Sequence, residues 1–172
     1  PRNYCFVTSY RCNLACSYCF QSNEEMRVVT NRMLTMEEAR SGVATLKADI
    51  ASGRAGSKHR TPVMLFGGEP LLPNQREIVQ YIVTEAVALG FPVTATTNGM
   101  FLHLYEDLIG PSGISSFQIS LDGDAAAHDA RRIPVNGQPT FTGIWNNIKM
   151  ALARGAQVDL RCNIDKRNLD GF

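Results

Sequence analysis

Runs that suit a β-strand alternate along this chain with runs that suit an amphipathic helix, and that alternation is the mark of a parallel sheet built from βα units. The first strand is expected at about Asn3 to Thr8. Thr35-Met-Glu-Glu38 then reads as a capping box, and Ala39, Val43, Leu46 and Ile50 follow at helical spacing. Pro62 to Phe66 is a short apolar strand; Ile78, Val79, Ile82, Val83, Ala86 and Leu89 mark a second helix, stopped by Gly90. Val93 to Thr97 is the third strand, Phe101 to Ile109 a short helix, and Ser116 to Leu121 the fourth strand. Asp122 to Pro139 carries no periodicity and is a functional-loop candidate. Thr140 caps a helix through Arg154 with Ile144, Ile148, Ala151 and Leu152 on one face, and Val158 to Ile164 is the fifth strand. No solenoid-type repeat or low-complexity tract interrupts the pattern.

At 172 residues and 44% hydrophobic composition, one domain with a sizeable core is the default. Seventeen basic and sixteen acidic residues leave a net charge of +1, with neither sign gathered into a block. That balance gives no electrostatic case for nucleic acid or a membrane surface, and small-molecule or peptide partners fit better. No apolar run approaches the roughly 20 residues that span a bilayer, and no secretory leader is visible. A soluble, cytoplasmic protein is expected. The chain begins at Pro1 without a methionine and stops at Gly171-Phe172 after a strand and a polar loop, so a piece of something longer is also expected.

In parallel α/β architectures the ligand site lies at the carboxyl edge of the strands. Here strand one runs into Arg-Cys12-Asn-Leu-Ala-Cys16-Ser-Tyr18-Cys19-Phe, which places three thiols in one loop with no fourth nearby. A four-iron cluster takes one thiolate per iron, and a structural zinc site is closed by four ligands, so three thiols suit a centre with one position left open. For zinc, the nearest fourth ligands are Cys5 and His59, and neither has a paired spacing. A disulfide framework does not suit five cysteines, an odd count. Cys5 and Cys162 lie inside strand patterns, where free cysteine acts as a small buried hydrophobe, and neither is expected to ligate the centre.

The other strand ends carry their own candidates. Gly67 and Gly68 lack a Cβ, so a ligand can approach their backbone closely, and Glu69 adds a carboxylate suited to a cationic amine. Read alone, this stretch is also a tight turn. Asn98-Gly99 is ordinary turn chemistry as well as a ligand candidate. Asp122 either orients substrate or closes a turn, His128 reads as structural, and Trp145 as a packing residue.

Taken together, Cys-x-x-x-Cys-x-x-Cys with an aromatic before the last cysteine resembles the signature of the radical S-adenosylmethionine enzymes. The resemblance implies an α/β fold, an open partial (β/α) barrel with parallel strands, usually of six units. Residues 1–172 would then be an incomplete core domain, truncated after the fifth strand, without the sixth βα unit or any C-terminal cysteine-rich domain. It implies that Cys12, Cys16 and Cys19 hold a 4Fe–4S cluster whose open iron is chelated by S-adenosylmethionine. Reduction would cleave that cofactor to a 5'-deoxyadenosyl radical, which abstracts hydrogen from substrate. Gly67-Gly68-Glu69 matches the motif that grips the methionine amino group. Ser120 and Arg132 match a serine and an arginine that hold its carboxylate, for which the planar arginine fork is suited; Arg131 leaves that register open by one. Tyr18 takes the place of a residue whose main chain contacts adenine, or shields the cluster from water, and Asn98 is the candidate for the ribose. Phe-Gly-Gly-Glu-Pro, Thr-Asn-Gly, Ser-Leu-Asp-Gly and Arg-Cys-Asn-Ile resemble the peptide- and protein-modifying subgroup, including sulfatase-maturing enzymes, whose members carry SPASM or twitch extensions. Partners implied are a peptide or protein substrate and an electron donor. The rivals are a radical enzyme acting on a small metabolite, and a noncatalytic iron–sulfur or zinc scaffold with a closed metal site.

Overall fold

A computed structural model describes residues 2–22, 31–55, 61–134, 137–166 and 169; Pro1, His59 and Gly171-Phe172 lie outside the described residues. Five strands, β1 (Tyr4–Ser9), β2 (Val63–Gly67), β3 (Val93–Thr97), β4 (Ile114–Ser120) and β5 (Gln157–Arg161), form one sheet in the order 1-2-3-4-5. Each neighbouring pair is parallel. The connections hold α1 (Met36–Ala51), α2 (Arg76–Ala88), a 3-10 segment (Leu102–Leu108), then α3 (Ala125–Arg131) and α4 (Phe141–Ala153). This is an α/β fold, an open partial (β/α) barrel that runs among the described residues as far as β5.

Burial alternates along the strands. Phe6, Val63, Leu65, Val93, Ala95, Phe117 and Ile119 are buried in one core with the helices. Full burial of such a side chain contributes about 1.5–3 kcal/mol. The intervening residues, among them Cys5, Met64, Thr94, Thr96, Ser116 and Gln118, are only half-buried or exposed. Helices therefore cover one face, and the other, rich in hydroxyl and amide groups, stays open. Parallel sheets covered on both faces read as continuous apolar runs; Val-Thr-Ala-Thr-Thr in β3 shows why this one does not.

Local signals explain the helices. Thr35 Oγ1 accepts from Glu38 N at 3.2 Å while Thr35 N donates to the Glu38 carboxylate at 2.9 Å, so the capping box starts α1 as its sequence predicts. Val79, Ile82, Val83 and Ala86 are the buried stripe of α2.

Four sequence expectations need correction. The stretch from Asp122 to Pro139 is not one aperiodic loop: Asp124 accepts from Ala127 N at 2.9 Å and starts α3, which opens on three alanines, the best helix formers. Thr140 sits at the start of α4 without capping it by its own side chain; the Asp129 carboxylate accepts from Thr140 N and Phe141 N at 2.8 and 3.0 Å instead. Leu152 is exposed, and the buried stripe of α4 is completed by Asn147, whose amide donates to Gly99 and Met100 carbonyls. Cys5 is exposed because it points to the open face of the sheet.

Candidate cofactor site at the carboxyl ends of the strands

The loop after β1 crosses the mouth of the barrel. Its backbone is pinned to the segment following α3, where Ala15 N donates to Ile133 O at 2.7 Å and Ser17 N to Arg131 O at 3.2 Å. Cys12, Cys16 and Cys19 thereby line a cavity of about 250 Å³ together with Tyr18, Gly67, Gly68, Asn98, Ser120 and Arg132. A second cavity of about 490 Å³ is lined by the same three cysteines. Of the candidate site residues, only Glu69 does not line the first cavity.

Gly67 and Gly68 are required by the chain itself. A Cβ on Gly67, which has φ +142°, would meet Ser9 O at 2.0 Å, and one on Gly68 would meet Tyr10 O and Arg11 O at 2.5 and 2.6 Å. The close approach lets Gly68 N donate to Ser9 O and Glu69 N to Arg11 O, both at 2.8 Å. Gly67→Ala is therefore expected to cost more than about 2 kcal/mol, the range of strained backbone and overpacking. Thermal unfolding checks it, and an unchanged melting temperature would count against this packing.

The Glu69 carboxylate, expected to suit a cationic amine, is engaged by the protein's own donors. Glu69 is fully buried, and its carboxylate accepts from Leu71 N at 2.9 Å, Thr97 Oγ1 at 2.7 Å and Asn98 N at 2.7 Å. Burial pushes this carboxyl up, opposed by the three donors and by Arg132. It ties the end of β2 to the end of β3. Asn98 is likewise engaged: Nδ2 donates to Asn13 Oδ1 at 2.8 Å, and Oδ1 accepts from Met100 N at 3.0 Å.

Tyr18 joins the cysteine loop to β4 and β5. Its hydroxyl donates to Asp122 Oδ2 and accepts from Arg132 Nη1 at 2.6 Å and Asn163 Nδ2 at 3.2 Å. Burial, then the bond to Asp122, pushes its phenol up to about 12. Arg131 lies over the Tyr18 ring at 5.1 Å and pairs with Asp165 at 2.8 Å, so it is Arg132 that faces the cavity. His128 accepts from Asp122 N and meets Thr140 Oγ1 at 3.1 Å, a buried structural role. Trp145, expected to pack, stacks on Phe141 at 6.3 Å but is 43% exposed. Arg161 and Asn163, read in the sequence only as part of the Arg-Cys-Asn-Ile run at the end of the fifth strand and given no role there, also line the cavity.

The donor set fits a 4Fe–4S cluster with a carboxylate-bearing cofactor beside it. Thiolates select iron–sulfur centres over hard cations. Among the described residues no three metal-binding groups are already drawn together, so the thiols share a wall without closing a site. Burial, then the Glu69 charge, pushes the Cys12 thiol up to about 11, and burial raises Cys16. Metal binding is what makes such buried thiols thiolates. Arg132 is 6% exposed, and its buried Nε has no hydrogen-bond partner among the described residues, as expected of a guanidinium awaiting an anion.

Comparison with known proteins agrees. The Radical SAM superfamily matches residues 6–170, and the chain belongs to that superfamily. Its members use a 4Fe–4S cluster and S-adenosylmethionine. The chain is 34% identical over 147 residues to GTP 3',8-cyclase of Moorella thermoacetica, a match covering 84% of this chain and 41% of that enzyme. The chain thus spans about two fifths of the length of that relative. Among solved structures, anSMEcpe with bound AdoMet and Kp18Cys peptide aligns with a TM-score of 0.71 at 19% identity, over 93% of this chain and 42% of that one. Streptococcus suis SuiB bound to precursor peptide SuiA aligns at 0.67 with 18% identity, over 99% and 35%. At these identities the structural likeness speaks for the fold.

Proposed function

We propose that this chain binds the cluster and cofactor of an enzyme that cleaves S-adenosylmethionine reductively and removes hydrogen from a peptide or protein side chain. The observation that carries this reading is one cavity lined by three thiols, by Ser120 and by an incompletely paired, buried Arg132. A cluster held there would supply the electron for the reductive cleavage. Cys12, Cys16 and Cys19 would hold it. Arg132 and Ser120 would take the methionine carboxylate, the backbone of Gly67 and Gly68 would wall the methionine end, and the Tyr18 main chain would border the adenine. Asp122 and Asn163 keep the cysteine loop down through the Tyr18 hydroxyl.

A peptide substrate is supported by the likeness in fold to anSMEcpe and SuiB, both solved with peptides. The open, polar face of the sheet leaves an approach for an extended chain. A small-metabolite substrate is the second reading, favoured by the higher sequence identity to GTP 3',8-cyclase. Either reaction needs an electron donor and reduced thiols, which supports a cytoplasmic setting. Among the described residues no helix is long and apolar enough to cross a membrane.

The test is anaerobic reconstitution with iron and sulfide. Uptake of four irons and, with dithionite, conversion of S-adenosylmethionine to 5'-deoxyadenosine are expected. Native zinc at the three thiols, or a fourth protein ligand, overturns the reading. Deuterium transfer into 5'-deoxyadenosine from labelled peptide or from labelled GTP separates the two substrate classes.

A further inference from the structure

Asn98 stands between the buried carboxylate that joins β2 to β3 and the first cysteine of the loop. Its backbone N–H is held by Glu69 Oε2 at 2.7 Å, and its side-chain oxygen by Met100 N at 3.0 Å. Those two bonds fix the amide plane. The remaining group, Nδ2, has two hydrogens, and two acceptors face it: Asn13 Oδ1 at 2.8 Å and Cys12 Sγ at 3.8 Å. The oxygen faces a donor and the nitrogen faces acceptors, so the amide orientation is the one the network requires. Asn98 is 4% exposed, and nothing about turn chemistry alone calls for a buried amide aimed at sulfur. Leu14 N is the second donor to the same sulfur, at 3.4 Å.

We propose that Asn98 is a positioning residue for the cluster ligand Cys12, donating an N–H to its sulfur and thereby setting how readily the bound cluster accepts an electron. This rests on the cluster assignment made above. Hydrogen bonds to cluster sulfurs and the burial of the site set reduction potentials. A donor at sulfur stabilises the more negative, reduced state more than the oxidised one. Removing it makes the cluster harder to reduce. Glu69 holds the strand end from which the donor projects, and Asn13 shares the amide, so the contact is built from three elements rather than left to a mobile side chain. A ribose-binding role for Asn98 makes a different prediction, because it acts only when S-adenosylmethionine is present.

The experiment is a potentiometric titration of the reconstituted chain without S-adenosylmethionine, followed by the electron paramagnetic resonance of the reduced cluster. Asn98→Ala is compared with Asn98→Asp, which keeps the shape and the backbone N–H but replaces the donor by an acceptor. At the potential where the wild-type cluster is half reduced, the reduced-to-oxidised ratio is expected to fall about tenfold in Asn98→Ala, equivalent to about 59 mV for a one-electron couple. Asn98→Asp is expected to fall at least as far. Melting of the apoproteins identifies a variant that has lost its fold, and the other then carries the result. An unchanged ratio in the folded variants overturns the proposal while leaving the cluster assignment intact. Failure of the wild-type chain to take up four irons overturns the assignment itself.

Discussion

Cys16→Ala is expected to give colourless protein after reconstitution, with cleavage of S-adenosylmethionine lower by more than about 100-fold, beyond the 10–100-fold typical of losing a supporting contact at a metal site. Each of the three thiols is assigned one iron, and among the described residues no fourth thiol lines the cavity. Cys162, the next thiol along the sheet edge, does not line the cavity, and Cys5 lies in β1 away from it. Two thiolates leave two irons exposed to solvent, a state that loses iron rather than rearranging around a substitute. Cys162→Ala serves as the control and is expected to retain the brown colour, four irons and turnover. Iron analysis and 5'-deoxyadenosine formation measure the result. Turnover retained by Cys16→Ala would refute the assignment.

Glu69→Ala is expected to be the most destabilising single change at the mouth of the barrel. It leaves Leu71 N, Thr97 Oγ1 and Asn98 N, each donating to the carboxylate, without an acceptor in a site that water does not reach. At about 1–3 kcal/mol for each of the three buried groups left unpaired, the loss is about 3–9 kcal/mol. At about 2–4 °C per kcal/mol for a chain of this size, the melting temperature falls by at least about 6 °C. Glu69→Gln keeps one acceptor oxygen and is expected to lose about half as much. The measurement also separates two roles for this residue. A carboxylate whose work was to hold a ligand's amine would be replaceable with little change in the melting of the ligand-free protein. A fall of less than about 2 °C would remove the structural role described for it.

Much of the fold was legible because its signals are local. The capping box at Thr35, the stop at Gly90 and the bounds of β3 each depend on residues within one turn or one strand, and they stand as the sequence predicts. Asp124 followed by three alanines was just as local, but the glycines and prolines around it masked a helix of seven residues. The site was legible as a set of strand ends and less so as a set of contacts. Gly67 and Gly68 read equally as a cradle for a ligand and as a close backbone crossing; only the position of Ser9 and Arg11 shows that the crossing is what a side chain would block. That crossing turns Glu69 inward, which no spacing rule reveals. The bond from Tyr18 to Asp122 joins positions 104 apart, and the choice between Arg131 and Arg132 depends on how α3 ends over that pair. Such contacts follow from the path of the chain and have no signature in any short stretch.

The pinning of the cysteine loop also bears on the order in which the molecule is built. Tyr18 meets Arg132 across 114 positions, and Ala15 and Ser17 lean on the backbone of Ile133 and Arg131. Closing so long an interval carries an entropy penalty that shorter pairings avoid. While a nascent chain is still emerging, β1 to β3 can pair with one another and Asn98 can meet Cys12, but the backbone of Ala15 and Ser17 has no partner until α3 has been synthesised. The second half of the cysteine loop is thereby seated only once the chain has been made as far as Ile133.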